Sequence, residues 1–370
     1  MSRVTLPGLV DVHVHLRVPG GEEKETADTG TAAALAGGFT AVLAMPNTTP
    51  PVTSAALLDD ARGLLAAGAR CDVGQYLGAT ADNAAAAAAA ADRACGLKIY
   101  ADTTFGPLHL ASLADMAAHV QSWPRCRPLV FHAEGVTVAQ AVGLAAAHRR
   151  WVHVAHVSRR DEIELIVAAK EAGVPVTCEV TPHHLLLTAA DAAALGPRAA
   201  VRPPLATAED RAALWQHLDA VDCLATDHAP HIRAEKEAPD PPPGFPGLET
   251  ALPLMLTAVA EQRLTLDRLV TLASAAPARL FGVSTPAESA VDVDLDSRWT
   301  LPESGYATKA DWSPFAGTSV RGRVMEVRLR GTTAWSGGEA RQPPGSGRLL
   351  PAPSTRRQGV GVAQHRRHDP

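Results

Sequence analysis

Eight short runs rich in β-branched residues recur between residues 9 and 230, and helix-forming segments separate them. The runs are LVDVHVHL (9–16), FTAVLAM (39–45), CDVGQYL (71–77), GLKIYA (96–101), PLVFHAE (128–134), WVHVAHVS (151–158), PVTCEVT (175–181) and DCLATDHAP (222–230). Strands that alternate with helices form parallel βαβ units. Eight such units over roughly 220 residues approach the ~250 residues typical of a TIM barrel. The sequence therefore predicts an α/β fold, a TIM-like (β/α)8 barrel.

The segments between the runs have the composition of helices. Two examples are SAALLDDARGLLAAGAR (54–70) and RDEIELIVAAKEAG (160–173). A tract of eight alanines covers residues 84–91. Because alanine has the highest helix propensity, this tract predicts a surface helix rather than a linker.

The pattern changes after the eighth run. Residues 249–282 have helical character, whereas 290–301 and 320–339 alternate with a period of two and predict a small β appendage. From Ala340 onward the chain is rich in Pro, Gly and Arg, which predicts a disordered C-terminal tail. The predicted organisation is a barrel over 6–285, a β appendage over 286–339 and a disordered tail over 340–370.

Charge and composition argue against two classes of partner. The formal net charge is only −5, so nothing predicts binding to nucleic acid or to an anionic membrane surface. No run is long and apolar enough to span a bilayer. The five cysteines are an odd number without a C-x-x-C pair, which argues against a disulfide framework. We therefore expect a cytoplasmic protein.

Ionisable and polar side chains stand at the ends of several predicted strands, where a TIM barrel builds its active site. They are His13, His15, Asn47, Lys98, His132, His156 and Asp227. His13 and His15 are two residues apart on a strand and share a face, so they can bind one metal ion. Taken alone, the pair also fits two half-buried histidines. With the other histidines and Asp227 nearby, a metal site is favoured: zinc first, with manganese, cobalt or iron left open.

Lys98 places an ammonium group inside an apolar strand. Burial of such a charge is costly, so the pKa of this amine is expected to fall. A neutral amine can take up carbon dioxide and become an anionic carbamate, whose oxygens can bridge two metal ions. Alternatively, the side chain reaches outward to solvent or pairs with an acid.

The ordered set of motifs resembles the dihydroorotases of the amidohydrolase superfamily. The likeness is greatest to the dihydroorotase domain of the animal multifunctional pyrimidine-synthesis protein, and it covers roughly residues 6–335. The motifs are DVHVHLR, MPNT, GLKIY, HAE, VHVAHVSR, CEVTPHHL, TDHAPH and PPPGFPGLET. Each motif alone is weak, but their order and spacing together are specific.

The resemblance implies a TIM barrel with two zinc ions (Zn2+) bridged by carboxylated Lys98. It implies that His13, His15 and Asp227 hold one ion and that His132 and His156 hold the other. Asp227 would also accept the proton of the attacking water and pass it to the leaving nitrogen. The implied substrate-binding residues are Arg17, Asn47, Thr104, Phe105, Arg202, His231 and Pro243, with Gly244 beside the last. Taken alone, Arg17, Asn47 and His231 also fit a surface or capping role, and for Arg202 alone such a role is favoured.

The implied function is the reversible cyclisation of N-carbamoyl-L-aspartate to L-dihydroorotate in pyrimidine biosynthesis. Implied partners are this small-molecule substrate pair, a second copy of the chain in a homodimer, and aspartate transcarbamoylase. Two alternatives are another cyclic amidase, such as a dihydropyrimidinase or allantoinase, and a non-catalytic dihydroorotase-like scaffold.

Two further histidines are not expected to be metal ligands, and three positions depart from the family pattern. His153 is expected to point away from the metal ions, and His183 to lie near the site without being a ligand. The sequence has Val18 where the family usually has glutamate and Ala276 where it has asparagine. Ala155 stands where the animal domain has a cysteine close to the zinc ligands.

Overall fold

The computed structural model describes residues 3–350, which form fourteen strands and a larger set of helices. The strands are β1 (Arg3–Pro7), β2 (Leu9–Val14), β3 (Phe39–Ala44), β4 (Asp72–Gln75), β5 (Leu77–Gly78), β6 (Leu97–Tyr100), β7 (Leu129–His132), β8 (Val152–Val154), β9 (Val176–Val180), β10 (Cys223–Leu224), β11 (Ala290–Thr300), β12 (Ser319–Leu329), β13 (Thr332–Ser336) and β14 (Glu339–Ala340).

Helices lie in most of the connections between the barrel strands, and four more follow the last barrel strand, β10. They are α1 (Ala27–Ala36), α2 (Ala55–Gly68), α3 (Ala84–Ala89), α4 (Leu113–Ser122), α5 (Val136–His148), α6 (Arg160–Glu171), α7 (Pro182–Leu186), α8 (Ala189–Leu195), α9 (Ala208–Gln216), α10 (Arg233–Lys236), α11 (Leu248–Ala260), α12 (Leu266–Val270) and α13 (Ala276–Phe281). Short 3-10 turns lie at Gly196–Ala199 and Leu218–Ala220, and a π-helical turn at Thr271–Ala275. Between residues 3 and 350, no helix combines the length and the apolar character that crossing a membrane requires.

The strands β2 to β10 form a closed parallel barrel, which confirms the predicted fold. One sheet has the order β2-β3-β4 and another runs from β5 to β10 in sequence order. Tyr76 joins the two sheets, because its N–H bonds to the Ala44 carbonyl while the next residue bonds to Gly96. The opposite seam closes where Val14 pairs with His228 in parallel. The third predicted run is therefore two short strands.

The barrel strands are covered on both faces, as is usual for parallel strands. All residues of β2 and β3 are buried. One buried cluster joins Val12, Leu43 and Val130 to Phe281 of α13. A larger cluster packs other strand residues against the surrounding helices.

A second, antiparallel sheet has the order β1-β11-β12-β13-β14. It contains the period-two segments that the sequence assigned to the appendage. It also contains β1, which the sequence analysis did not identify. Arg3–Pro7 pairs with the segment from Ala290 to Asp294, nearly 290 residues along the chain. A pattern of five residues cannot predict a strand partner so far along the chain.

The prediction of disorder from Ala340 is wrong for the first part of the proposed tail. Residues 348–350 lie along the start of β4, where the Val73 N–H bonds to the Arg348 carbonyl at 2.9 Å and the Leu350 N–H bonds to the Val73 carbonyl at 2.8 Å. Ahead of them, the Gly345 and Gly347 N–H groups bond to the Ala69 carbonyl. Leu350 is buried beside barrel residues. Backbone pairing and one apolar anchor order this segment despite its composition. The rest of the predicted tail, 351–370, lies outside the described residues.

Candidate metal centre

The carboxyl ends of the barrel strands surround a cavity that is open to solvent. Its walls include most of the residues that the sequence singled out. The lining residues are His13, His15, Arg17, Asn47, Tyr100, Thr104, Phe105, His132, His156, Arg202, Asp227, Ala229, Pro243 and Gly244.

His13, His15 and Asp227 converge from the two strands that close the barrel. Asp227 Oδ1 lies 3.2 Å from His13 Nε2 and 3.1 Å from His15 Nε2. His13, His156 and Asp227 each offer a ligand atom within 4.8 Å of the others. All of these side chains are buried. One carboxylate oxygen and several imidazole nitrogens thus share a space of the size that a metal ion needs.

His132 and His156 form the neighbouring pair. His132 Nδ1 lies 2.7 Å from His156 Nε2, and the two rings meet edge to face at 4.5 Å. The His156 ring also lies 5.2 Å from the His13 ring. The four histidines are therefore one continuous cluster.

Three site residues have backbones in the left-handed region. Arg17, His156 and Asp227 have φ angles of 61°, 36° and 46°. Side chains other than glycine rarely adopt this conformation, and it is concentrated at functional sites. These residues follow the ends of their strands, so the turn redirects each side chain into the cavity.

Lys98 lies on β6, and its amine is completely buried. Within residues 3–350, Nζ has no hydrogen-bond partner, and the Tyr100 ring centre is 5.3 Å away. Burial lowers the pKa of Lys98 to about 8. The side chain does not reach solvent, so the outward alternative is wrong. An amine of this kind spends part of its time neutral near physiological pH, as carbamate formation requires.

Burial also sets the charge of the other groups. Burial lowers the pKa of His13 and His156, and the nearby Lys98 lowers both further. Burial raises the pKa of Asp227. In the described part of the chain, the buried His156 Nδ1 and the Tyr100 hydroxyl also lack partners. Neutral imidazoles, a carboxylate and unpaired buried donor atoms fit a site for divalent cations.

Glu179 is a site residue that the sequence analysis missed. It lies on β9, and its Oε1 accepts from His13 Nδ1 at 2.5 Å. The other oxygen lies 3.1 Å from His153 Nε2. Burial alone would raise the pKa of Glu179, but His13 and His153 hold it below its usual range. A carboxylate on the far nitrogen fixes the tautomer of a metal-binding histidine. The sequence did carry a signal for this residue, because Glu179 is an acidic residue inside a predicted barrel strand, PVTCEVT (175–181).

Two other histidines lie behind the cluster. His153 contacts Glu179 and, through Nδ1, the Thr177 hydroxyl at 2.8 Å. It therefore supports the carboxylate that holds His13. His183 packs on His184 with ring centres 4.4 Å apart and on Phe245 at 5.3 Å.

Arg17 and His231 form the polar wall opposite the histidine cluster. Arg17 Nη2 lies 3.0 Å from His231 Nε2, and Arg17 Nε donates to the Pro230 carbonyl at 3.2 Å. Both side chains are buried. Arg17 borders the cavity, whereas His231 stands behind it. The structure therefore brings Arg17 and His231 into contact, and of the two only Arg17 lines the cavity.

Asn47 borders the cavity and also contacts one of the candidate metal ligands. Its amide oxygen lies 2.7 Å from His15 Nδ1, and its NH2 group donates to the Phe105 carbonyl at 3.0 Å. Asn47 therefore links a histidine of the cluster to the Thr104–Phe105 loop. Both loop residues border the cavity.

Arg202, Pro243 and Gly244 complete the rim. Arg202 is exposed, and Pro243 is partly buried. Gly244 has a φ of 145°, and a Cβ there would lie 2.4 Å from the Ala229 carbonyl oxygen. Only glycine fits so close to Ala229, which follows Asp227 by two residues. The rim loop is thereby fixed against the strand end.

Comparisons with known proteins agree with this geometry. The amidohydrolase family matches residues 4–289. Multifunctional protein CAD of Squalus acanthias is 48% identical over 93% of this chain, which spans only 15% of that protein. A dihydroorotase of Bacillus caldolyticus is 37% identical over 92% of this chain and 89% of its own length. The structure of an L-hydantoinase (dihydropyrimidinase) from Arthrobacter aurescens superimposes with a TM-score of 0.89 at 27% identity, covering 94% of this chain and 89% of that one.

The chain therefore belongs to the amidohydrolase family. The curated relatives of comparable length that it resembles include dihydroorotases of Bacillus caldolyticus and Geobacillus kaustophilus.

Proposed function

We propose that the chain is a dihydroorotase, which interconverts L-dihydroorotate and N-carbamoyl-L-aspartate. The observation that carries the proposal is the meeting of the buried histidine cluster, Asp227 and Arg17 around one cavity. The unpaired amine of Lys98 is buried near His13 and Asp227, although it does not line the cavity. Identity of 37% to a dihydroorotase of similar length supports the same substrate.

The residues present fit a binuclear zinc centre. His13, His15 and Asp227 would hold one ion, His132 and His156 the other, and carboxylated Lys98 would bridge them. When bound, the two ions would polarise the amide carbonyl and lower the pKa of the attacking water.

The protein side chains supply proton transfer and binding. In hydrolysis, water oxygen adds to the ring carbonyl, the carbon–nitrogen bond breaks, and the nitrogen gains a proton. Asp227 borders the cavity and accepts the proton of the water before passing it to the nitrogen. Arg17 binds the ring carboxylate, because a guanidinium matches a carboxylate in charge and shape. Thr104 and Phe105 cover the substrate.

A dihydropyrimidinase or an allantoinase would need the same metal ligands but not Arg17. A non-catalytic scaffold would need neither, yet this chain has all six candidate ligands. The fold itself does not separate these functions, because an L-hydantoinase has the same one.

The direct test is turnover of dihydroorotate by purified protein of measured metal content, with Lys98→Ala as the variant. The parent should turn over substrate and contain about two zinc ions per chain. Lys98→Ala should lose most of the turnover and most of the zinc, since two cations would repel each other without the bridge. Short carboxylic acids should restore part of the activity. A variant with near-normal activity and no added acid would refute the bridging role.

The proposal also includes a cytoplasmic location, a homodimer and association with aspartate transcarbamoylase. The likeness to Multifunctional protein CAD supports the last of these. Light scattering of the purified chain tests the dimer, and a monomer at all concentrations would contradict it.

A further inference from the structure

Lys24 and Glu235 lie behind the substrate wall, and neither has a role in the chemistry above. Glu235 is in the short helix α10, eight residues after Asp227. Its Oε1 is 3.1 Å from Lys24 Nζ, and its Oε2 is 3.2 Å from His231 Nδ1. One carboxylate therefore joins a lysine to the histidine that contacts Arg17.

The hydrogen bonds define which nitrogen of His231 carries the proton. An arginine side chain only donates hydrogen bonds, so His231 Nε2, 3.0 Å from Arg17 Nη2, must be the acceptor. The proton then sits on Nδ1 and points to Glu235. Glu235 thus keeps His231 in the tautomer that accepts from Arg17.

The same groups surround the Phe105 ring. Lys24 Nζ lies 4.6 Å from the ring centre, and the Arg17 guanidinium carbon lies 5.0 Å from it. The His231 ring meets Phe105 edge to face at 5.0 Å. Cations over an aromatic face attract it. The Phe105 ring therefore contacts Lys24 and His231, which bind Glu235 directly, and Arg17, which binds His231.

We propose that Lys24, Glu235 and His231 form a latch that keeps Arg17 oriented and the Phe105 loop closed over the cavity. Lys24 and Glu235 are then positioning residues for substrate binding. The part of this inference that concerns substrate rests on the proposed function, whereas the part that concerns the loop does not.

The test combines kinetics with a direct probe of the loop in the metal-loaded, full-length chain. The variants are Glu235→Leu, Glu235→Gln and Lys24→Met, and the matched control is Glu237→Gln, at an exposed position two residues farther on. KM and kcat are measured with dihydroorotate. Chymotrypsin cleavage after Phe105 is followed by fragment mass, because cleavage there requires an open loop.

Glu235→Leu should raise KM about tenfold with kcat changed less than about twofold, as expected for loss of a hydrogen bond to a charged group. It should also be cleaved several-fold faster after Phe105. Glu235→Gln keeps an acceptor for His231 and loses the pairing with Lys24. It and Lys24→Met should therefore show a smaller, few-fold effect, typical of a partly exposed ion pair. The control should match the parent.

Parent-like KM and cleavage in Glu235→Leu would overturn the latch. If that variant fails to fold, Lys24→Met decides, and unchanged cleavage after Phe105 overturns the proposal. If the parent does not turn over dihydroorotate, the proposed function fails, and the cleavage comparison still decides the latch.

Discussion

At the scale of single residues, the site depends on side chains that face away from the cavity as well as on those that line it. Glu179 holds His13 by the nitrogen opposite its cavity-facing one, and His153 holds Glu179 in turn. The Glu179 carboxylate also lies 3.3 Å from the backbone N–H of His156. One buried acid therefore contacts two of the candidate ligands.

We expect Glu179→Gln to weaken zinc binding by about 10–100-fold, the usual effect of losing a partner of a metal-binding histidine. The amide cannot act as a charged acceptor for His13. Chelator competition measures the affinity without any need for activity. Glu164→Gln, at an exposed position on α6, is the control. An unchanged affinity in Glu179→Gln would mean that Glu179 does not support the metal site.

At the scale of elements, Glu249 in the first turn of α11 anchors the loop that connects β11 and β12 of the second sheet. Its two carboxylate oxygens accept from the N–H groups of Ala307 and Thr308, each at 3.1 Å. Burial raises the pKa of Glu249 to about 7, although these two bonds oppose the shift. The folded chain therefore binds a proton at pH values where the unfolded chain has lost it.

This raised pKa gives a signed prediction. The stability contributed by protonated Glu249 is present at low pH and is lost as pH rises from its unfolded value toward 7. The free energy of unfolding of the parent should fall between pH 5 and pH 8, whereas that of Glu249→Gln should not fall for this reason. The variant should therefore become more stable relative to the parent by about 2 kcal/mol over this range, allowing for partial solvent screening. Urea unfolding at several pH values measures this. A difference that stays constant with pH would contradict it, and Glu261→Gln, at an exposed position, is the control.

The segment 341–350 contributes to stability at the opposite end of the barrel from the site. Leu350→Ala should lower the free energy of unfolding by about 2–3 kcal/mol, because it empties a buried apolar position. Turnover should stay at the parent level, since Leu350 packs near the amino end of β4. Arg348→Ala, an exposed change in the same segment, should leave both unchanged. A Leu350→Ala variant as stable as the parent would show that this segment does not anchor the fold.

At the scale of the whole molecule, the barrel was predictable because short runs rich in β-branched residues alternate with helix-forming segments along the chain. Residues at the ends of those runs, such as His132 and Asp227, could be grouped at one end of the barrel without any structure. The pairing of β1 with β11 and the packing of 341–350 could not be predicted, since both depend on contacts between distant segments. Glu235 was also missed, because its effect acts through His231 and no spacing marks it.

The arrangement of the whole cavity, more than the fold, defines the substrate. A dihydroorotate molecule differs from dihydrouracil by one ring carboxylate, and the buried Arg17 faces the cavity where that group would bind. Dihydrouracil would leave the guanidinium desolvated and unpaired, which is costly.

The most direct test of the central claim is kcat/KM for dihydroorotate and for dihydrouracil on one zinc-loaded preparation. We predict a preference for dihydroorotate of ~10⁴-fold or more, as sites built around a buried polar partner achieve. Arg17→Met should lose most of the activity on dihydroorotate and gain little on dihydrouracil. Similar kcat/KM values for the two substrates in the parent would contradict the account and favour a dihydropyrimidinase.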